Sequence, residues 1–365
     1  MKSLTALAAF SVIIAMAMTV PAASDKTVPV ATPAIVCTSD EVRDQDDMCI
    51  WLHPSDKSLS TVIAADKAAG RLLVYDLSGK VLQSVKMHGA ANIDLRYGFP
   101  LAGEKVDIVA LNIRRGGFRI AVLKVDPKTR QLTVVDNGKI ETSDNYGGTM
   151  YRSPKTGKFY FVTTSKPGTV EQFELSDDGN GKVRGVKVRS WNSGYSEGAA
   201  GDDIAGKIYI GQENKGVWEI GGEPNDPTPG KLILKVGSHG LKADVEGLAI
   251  YRFKGGEKGY LLVSNQGAHN FKVFDLAPGH KLIGTFAVKG SQETDGIDVT
   301  NANLGGKFAN GLFACHSNKK QGGGCPVLLT SWSDIAKSIT PPLKIDTAWD
   351  PRKAVVVKRV SVNEQ

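Results

Sequence analysis

The sequence contains few of the residues that form the commonest metal and redox motifs. Its 365 residues include only four cysteines and six histidines. These residues show neither the Cys-x-x-Cys nor the His-x-x-x-His spacing that is typical of zinc sites. We therefore predict no zinc site and expect any metal to be held by oxygen atoms.

The sequence also lacks a linker and a strongly basic segment. No Pro/Gly/Ser-rich stretch or block of charge divides it, so we predict a single folded domain over residues 24–365. The formal net charge is +7, but the basic residues are scattered and are not interleaved with aromatic residues. This distribution argues against nucleic acid as a partner and favours a small polyanion. We expect the protein to be a monomer.

A long apolar run occurs only near the start of the chain. It covers residues 4–20, follows Lys2 and precedes a segment of small residues at 22–24. This order is typical of a secretory signal peptide, which we assign to residues 1–23. A retained membrane anchor is the alternative, although the run is marginal in length for a bilayer span. We expect a secreted or periplasmic protein without membrane contact after cleavage.

The even number of cysteines in an exported chain predicts disulfide bonds. Four cysteines allow three pairings, and the sequence alone does not distinguish them. Proximity along the chain favours Cys315–Cys325, across one hairpin, together with Cys37–Cys49.

The main feature of the sequence is a repeat of strands. Six apolar segments start about 47 to 53 residues apart, and each reaches a polar residue seven positions after its start. The segments begin near Ser60, Asp107, Phe159, Gly206, Gly259 and Gly311. The polar residues, which we call the strand tips, are Lys67, Arg114, Lys166, Glu213, Gln266 and Asn318. This repeat predicts an all-β fold, a six-bladed β-propeller with four-stranded antiparallel blades around a central channel.

Acidic residues precede the repeated segment in five of the six repeats. They are Asp46, Asp47, Asp94, Glu197, Asp244, Glu246, Asp295 and Asp298, and Tyr146 occupies the matching place in the third repeat. The first strand of a propeller blade lines the axis, so these carboxylates are expected to converge and repel one another. A hard divalent cation would neutralise them, and calcium takes six to eight oxygen ligands in flexible geometry.

The strand tips differ between the two halves of the chain. Repeats one to three end in Lys67, Arg114 and Lys166, whereas repeats four to six end in Glu213, Gln266 and Asn318. Cations next to bound metal ions form a receptor for phosphate groups, because an arginine can bind two phosphate oxygens at once. A metal pair also lowers the pKa of bound water. The pattern therefore indicates hydrolysis of a phosphate ester.

At these residues the chain resembles the β-propeller phytases, the calcium-dependent alkaline phytases of bacteria. Residues 44–51 read DQDDMCIW, where the family signature is D-A-x-D-D-P-A-I-W. Residues 91–97 read ANIDLRY, where the family has N-N-V-D-L-R-Y. Further matching segments are VYDLSGK, KTGKFY, EQFEL, SEG, DVEGL, GYLLVSNQG and TDGIDV. The resemblance extends over about residues 40 to 353.

The resemblance implies a six-bladed propeller that removes phosphate groups stepwise from phytate with the help of several calcium ions. The implied calcium ligands are Asp47, Tyr146, Glu197, Asp244, Glu246 and Asp295, with Glu213 as a further carboxylate that contacts calcium or its water. The implied phosphate-binding residues are Lys67, Arg114 and Lys166. We assign catalysis to Glu213, Arg114 and Lys67, and expect a small polyanionic substrate such as the calcium salt of phytate.

The chain departs from the family pattern at several positions. Met48 and Cys49 replace Pro-Ala, and Ala91 replaces the first Asn of its motif. Lys289 stands where some members carry an Asp for a structural calcium, and residues 315–318 replace an acidic segment near it. The resemblance therefore does not predict that peripheral calcium, and disulfide bonds could take its place.

Two other functions fit parts of the same pattern. A propeller that binds calcium-phytate or another polyphosphate without hydrolysing it would need the same ligands. A different propeller hydrolase, such as a lactonase, would need fewer carboxylates and no cationic half-ring. Phosphate release from phytate distinguishes the first alternative, and a panel of substrates distinguishes the second.

Overall fold

The structure, a computed structural model, describes residues 28–353. The predicted signal peptide, residues 1–23, lies outside the described residues. In chain order the strands are β1 (Val30–Ala31), β2 (Ile35–Cys37), β3 (Gln45–Trp51), β4 (Thr61–Asp66), β5 (Arg71–Asp76), β6 (Val81–Lys86), β7 (Ala90–Leu101), β8 (Glu104–Ile113), β9 (Arg119–Val125), β10 (Leu132–Val134), β11 (Gly148–Arg152), β12 (Phe159–Thr163), β13 (Thr169–Asp177), β14 (Val183–Asn192), β15 (Ser196–Asp202), β16 (Lys207–Gln212), β17 (Gly216–Gly221), β18 (Lys231–Lys235), β19 (Val245–Arg252), β20 (Gly259–Asn265), β21 (Asn270–Asp275), β22 (Leu282–Val288), β23 (Ile297–Thr300), β24 (Leu312–His316) and β25 (Val327–Ser331). Short 3-10 helices lie at Lys57–Leu59, Gln266–Ala268 and Gly306–Phe308, and the one α-helix within residues 28–353, α1, covers Trp332–Ser338.

The strands form six sheets that close into a ring. Blades one to five contain β3–β6, β7–β10, β11–β14, β15–β18 and β19–β22, and blade six contains β23, β24, β25 and β2. Neighbouring strands within the blades are antiparallel. The first strand of each blade contacts the first strand of the next blade, and β23 contacts β3. The predicted six-bladed β-propeller with four-stranded antiparallel blades is confirmed.

The beginning of the described chain joins the last two blades. Strand β2 is the outer strand of blade six, where Ile35 lies opposite Leu329 of β25. Strand β1 adds to blade five in parallel with β22. A segment that precedes the propeller in sequence therefore completes its last blade, which links the two ends of the ring.

Helix α1 follows β25 and buries one face, with Trp332, Ile335 and Ala336, against blades five and six. The described residues contain no helix with the length and hydrophobicity needed to cross a membrane.

The hydrophobic core is divided between the blades. Six clusters of buried side chains occur, one at each junction between neighbouring blades. The central strands have both faces buried, as in β4 and β20, since each blade packs on the blade before it and on the blade after it. This packing holds the first strands in a fixed ring around the axis.

The predicted disulfide bonds are absent from the structure. All four cysteines are free and buried. Cys37, Cys49 and Cys315 belong to three different interblade clusters, so the fold holds their side chains apart. Cys325 instead donates a weak hydrogen bond from Sγ to the carbonyl of Asn318, at 3.4 Å. The proposed pairs Cys315–Cys325 and Cys37–Cys49 were wrong because proximity in sequence did not become proximity of the sulfur atoms.

Candidate active site at one end of the channel

All six strand tips lie just after the second strand of their blade, and therefore at the same end of the propeller. Lys67, Arg114, Glu213 and Gln266 directly follow β4, β8, β16 and β20. Lys166 and Asn318 follow β12 and β24 after two residues and one residue. We call this end of the channel the mouth.

The first strands of four blades are interrupted by β-bulges at the polar residues of the mouth. The pairing register shifts at Asp46 in β3, at Asn92 in β7, at Glu197 in β15 and at Glu246 in β19. A bulge re-aims side chains relative to the regular alternation of a strand. It allows Asp46 and Asp47, which are adjacent in sequence, to have separate surroundings.

Glycines bring neighbouring first strands close together at the mouth. Each of Tyr146, Glu197, Glu246 and Asp295 is followed directly by a glycine, at intervals of about 50 residues. A Cβ atom on Gly198 would lie 2.1 Å from the carbonyl oxygen of Glu246, and one on Gly247 would lie 2.4 Å from that of Asp295. Only glycine fits at such an approach, so the repeated X-Gly pair sets the spacing of the acids.

Three glutamates meet at the mouth, and we call Glu197, Glu213 and Glu246 the mouth glutamates. One carboxylate oxygen from each lies within 4.8 Å of the other two, and all three side chains are buried. Within the described residues, Oε1 of Glu213 and Oε2 of Glu246 are buried without a hydrogen-bond partner. Buried carboxylates in this arrangement are unfavourable unless a proton or a cation neutralises them.

The crowding raises the pKa of the acids at the mouth. Burial, reinforced by the charges of Glu197 and Asp244, raises the pKa of Glu213 to about 8. Burial and the other two mouth glutamates hold the pKa of Glu246 well above its ordinary value. Burial and the charge of Asp46 raise the pKa of Asp295 to about 7. The raised pKa values therefore favour protonation of the metal-free protein at positions where the family resemblance implies calcium.

Lys67 and Arg114 both contact Asp46, which is almost fully buried. Nζ of Lys67 donates to Asp46 Oδ1 at 2.7 Å and to Asp295 Oδ2 at 3.1 Å. Nη2 of Arg114 lies 3.4 Å from Asp46 Oδ2 and donates to Glu197 Oε1 at 2.9 Å. Burial opposes ionisation of Asp46, but the charges of Arg114 and Lys67 lower its pKa to about 2. Asp46 thus stays ionised and holds both cations at the mouth.

The arginine keeps donors available for a ligand. Its recorded side-chain hydrogen bonds all leave from Nη2, to Asp46, Asn92, the carbonyl of Tyr146 and Glu197. Within residues 28–353, Nε of Arg114 is buried without a partner, and no side-chain hydrogen bond leaves from Nη1. An anchored guanidinium with unused N–H groups is suited to a phosphate group.

Lys166 is held differently from the other two cations. Its Nζ lies 4.5 Å from the ring centroid of Tyr146 and 5.8 Å from that of Tyr195. The two tyrosine rings are stacked, with centroids 5.6 Å apart. Cation–π contacts position the ammonium group without neutralising its charge. Lys166 is exposed and can therefore meet an anion that enters from solvent.

The remaining strand tips divide between the mouth and its surroundings. Gln266 donates from Nε2 to Asp295 Oδ1 at 2.7 Å, which places it in the network at the mouth. Asn318 donates from Nδ2 to Glu293 Oε2 at 2.7 Å, and Glu293 is not one of the acids at the mouth. The predicted ring of tips therefore supplies the mouth from five blades.

The structure brings most of the predicted site residues together, but Asp47 has a separate environment. Its Oδ1 accepts from the N–H of Met48 at 2.9 Å, and its Oδ2 accepts from the N–H of Ile93 in the next blade at 3.1 Å. Asp244 acts on the mouth through its charge, which raises the pKa of Glu213. Burial and the nearby Glu197 raise the pKa of Tyr146, so its hydroxyl remains protonated. The metal-binding roles of Asp47, Asp244 and Tyr146 stay predictions.

Sequence reasoning missed three residues that the structure places at or beside the mouth. Asn92 contacts Arg114, Tyr195 stacks on Tyr146, and His316 contacts Asp295. Asn92 and Tyr195 occur in segments where bulges or turns remove the strand periodicity. The X-Gly repeat would have located the axial positions of blades three to six from sequence alone.

The donor set at the mouth fits a hard divalent cation. It consists of carboxylate oxygens, and two buried oxygens of the mouth glutamates have no partner among the described residues. Calcium binds carboxylate and carbonyl oxygens and tolerates irregular geometry. Glu197, Glu213 and Glu246 would hold such an ion, with Asp295 beside them.

Three comparisons relate the chain to known proteins. A sequence model of the family described as Phytase matches residues 1–357. A curated 3-phytase from Bacillus subtilis (strain 168) is 36% identical over 324 residues, which cover 84% of this chain and 84% of that protein. The crystal structure of regucalcin, a calcium-binding protein from Agrobacterium tumefaciens str. C58, superposes with a TM-score of 0.52 at 13% identity and covers 83% of this chain and 97% of that chain. At this identity, the structural similarity supports the fold alone.

Proposed function

We propose that this chain, which belongs to the phytase family, is a calcium-dependent phosphomonoesterase that removes phosphate groups from phytate. Membership of that family makes it an enzyme that hydrolyses phosphate esters. The calcium requirement and the roles of individual residues are the proposed part. We further propose that the protein is secreted or periplasmic and acts as a monomer.

One observation supports the proposal above the others: buried carboxylate oxygens that have no partner within residues 28–353 lie at the same mouth as three cations. Glu213 and Glu246 contribute the oxygens, and Lys67, Arg114 and Lys166 are the cations. A polyphosphate needs positive charge from both the protein and a metal ion, and this arrangement provides room for both. A lactonase would not need the cationic side.

The side chains at the mouth suggest a division of labour. Arg114 would bind and orient the phosphoryl group that reacts, because Asp46 and Glu197 anchor its guanidinium through Nη2. Lys67 would stabilise the negative charge on the same group in the transition state. Lys166 would hold a neighbouring phosphate. A calcium ion bound by the mouth glutamates would supply positive charge and lower the pKa of water.

Glu213 is the carboxyl group best placed to move a proton. Burial and the neighbouring carboxylates raise its pKa to about 8 in the metal-free protein, and a cation bound beside it would lower this pKa and leave Glu213 ionised as a proton acceptor. It would accept a proton from the attacking water as the oxygen of that water bonds to phosphorus. The bond from phosphorus to the ester oxygen then breaks, and the inositol oxygen leaves with a proton from solvent.

The test is phosphate release from phytate across a calcium titration, with a simple aryl phosphate as the comparison substrate. We expect chelation to reduce turnover by about 100-fold or more, and added calcium to restore it. Activity that survives thorough chelation would exclude the metal mechanism. Tight binding of phytate without phosphate release, at any calcium concentration, would identify a binding module instead.

A further inference from the structure

A second group of potential metal ligands lies beside the mouth and contains nitrogen and sulfur. It consists of Asp44, His316 and Cys325, and each offers one ligand atom. These atoms lie within 4.8 Å of one another. His316 and Cys325 flank the loop between β24 and β25, whereas Asp44 comes from the segment before β3.

Backbone hydrogen bonds fix the positions of these residues. Asp44 and Cys325 form a parallel β-bridge. The N–H of Cys325 donates to the carbonyl of Arg43 at 3.1 Å, and the N–H of His316 donates to the carbonyl of Gly296 at 3.0 Å. Hydrogen bonds of the main chain therefore hold the three residues of the cluster close together.

The ligand atoms of Asp44 and His316 face each other at 3.4 Å, beyond the reach of a good hydrogen bond. His316 is fully buried, and within the described residues neither its Nε2 nor Asp44 Oδ1 accepts or donates a hydrogen bond. In the metal-free protein the other ring nitrogen, Nδ1, accepts from the amide N–H of Asp295 at 3.2 Å, and it also lies 3.5 Å from Asp295 Oδ2. A metal ion at Nε2 would require the ring proton on Nδ1, where Asp295 Oδ2 could accept it, and a carboxylate in that position orients many metal-binding imidazoles. Burial of an unpaired polar atom is unfavourable, which favours a ligand at this position.

The spacing of the ligand atoms suits a tetrahedral ion. Nitrogen and oxygen ligands that each lie about 2.0 to 2.1 Å from zinc are separated by roughly 3.3 to 3.4 Å at a tetrahedral angle. His316 Nε2 and Asp44 Oδ1 are 3.4 Å apart. Calcium selects oxygen ligands, whereas zinc and related ions accept thiolate and imidazole. The chemistry of this cluster thus differs from that of the mouth glutamates.

We propose that Asp44, His316 and Cys325 bind a divalent transition-metal ion, zinc by ligand preference, with a fourth position open to water. The site would lie directly behind Lys67, whose Nζ is 3.5 Å from Asp44 Oδ2. Asp295 links the two centres, because it contacts both Lys67 and His316. The inference does not depend on the proposed hydrolysis of phytate, since it concerns a different ligand set.

Cobalt(II) is the probe that distinguishes this site from the mouth. The purified full chain is freed of metal with a chelator, kept reduced, and titrated with Co²⁺ alone while its absorption is recorded. A cobalt–thiolate bond produces a charge-transfer band in the near ultraviolet, and four-coordinate cobalt produces intense visible bands. Cobalt held by the mouth glutamates has no thiolate ligand. We expect both signals to saturate at about one ion per chain, and added Zn²⁺, but not Ca²⁺, to remove them.

Variants identify the ligands. Cys325→Ser should abolish the charge-transfer band, and Asp44→Asn should weaken cobalt binding about tenfold or more. Asp44 is partly exposed, so its variant is the safeguard if the cysteine variant does not fold. The matched control is Cys315→Ser, because Cys315 is also buried and adjacent to His316 in sequence, but lies outside the cluster. Circular dichroism confirms the fold of each variant.

The alternative is that His316 only forms ion pairs with Asp44 and Asp295. In that case the wild-type chain would show no cobalt–thiolate band, and the proposal would be overturned. A band that persists in Cys325→Ser, or that disappears equally in the folded Cys315→Ser variant, would also overturn it.

Discussion

Two sets of acids line the channel, and their oxygens contact different partners. The mouth glutamates crowd together, and two of their buried oxygens have no partner within the described residues. The second set, which we call the inner aspartates, consists of Asp47, Asp94 and Asp298. Each accepts a backbone N–H from the first strand of the following blade: from Ile93 at 3.1 Å, from Met150 at 2.8 Å and from Ile50 at 2.7 Å.

The comparison separates two uses of the same functional group. An inner aspartate joins neighbouring blades, and its hydrogen bonds are complete in the protein alone. Among the mouth glutamates, Glu197 is paired with Arg114, whereas Glu213 and Glu246 each keep a buried oxygen that has no partner in residues 28–353 and that a proton or a cation would satisfy. Residue type and position on an axial strand do not distinguish these roles; hydrogen-bond satisfaction does.

The strongest test of this difference is to replace one acid of each set by its amide. Glu246→Gln should lower turnover on phytate and calcium affinity by about 100-fold, because it removes a charged ligand. Its effect on the metal-free fold should be small, since burial and its neighbours already favour the neutral form of Glu246. Asp94→Asn should leave turnover within about twofold but lower the free energy of unfolding by about 1–3 kcal/mol.

Asp94 has this structural effect because its carboxylate has four partners. It accepts from Arg96, from the hydroxyl of Thr149, and from the amides of Leu95 and Met150. An amide group in its place has no charge, and its NH2 is a donor that would face one of these four donors without an acceptor between them. Kinetics, calcium titration and urea unfolding on both variants measure the contrast. If the two variants lost activity equally while folded, the two sets of acids would not be distinct.

The fold was predictable because its signal repeats, whereas the partners of each acid depend on local irregularity. Six strands that end in polar tips at similar spacing indicate a closed ring, and the tips then lie at one end. The neighbours Asp46 and Asp47 show the limit of prediction from sequence. Because the pairing register of β3 shifts at Asp46, this residue contacts the cation Lys67, whereas Asp47 accepts from the backbone amide of Ile93. The pairing of the cysteines failed for a related reason, since three of them are divided among separate interblade cores.

The next largest effect concerns the cationic side of the mouth. Arg114→Ala should lower turnover on phytate about tenfold or more, because it removes a charged hydrogen-bond donor from the reacting phosphoryl group. It also removes the positive charge that lies between the carboxylates of Asp46 and Glu197.

Arg184→Ala is the matched control for Arg114→Ala, because Arg184 is an exposed arginine on β14, the outer strand of blade three, and contacts Ser176. Steady-state kinetics on phytate, with kcat and KM determined separately, measure both variants. Near-normal kinetics in Arg114→Ala would remove this residue from the site.

The smallest expected effect is a dependence of metal-free stability on pH. Glu213, with a pKa of about 8, and Asp295, with a pKa of about 7, bind protons more tightly in the folded chain than in the unfolded chain. His316, whose pKa is raised to about 9 by its carboxylate partners despite its burial, has the same sign. The unfolded chain therefore binds fewer protons between about pH 5 and pH 8, so stability falls as the pH rises through this range.

Thermal unfolding in chelator should accordingly show a Tm that falls by roughly a few degrees from about pH 6 to about pH 8.5. Calcium should raise the Tm more at the higher pH, where its carboxylate ligands have lost their protons. Glu213→Gln serves as the reference, since an amide cannot titrate and its Tm should fall less over the same range. A metal-free Tm that rises with pH would contradict the raised pKa values of Glu213 and Asp295.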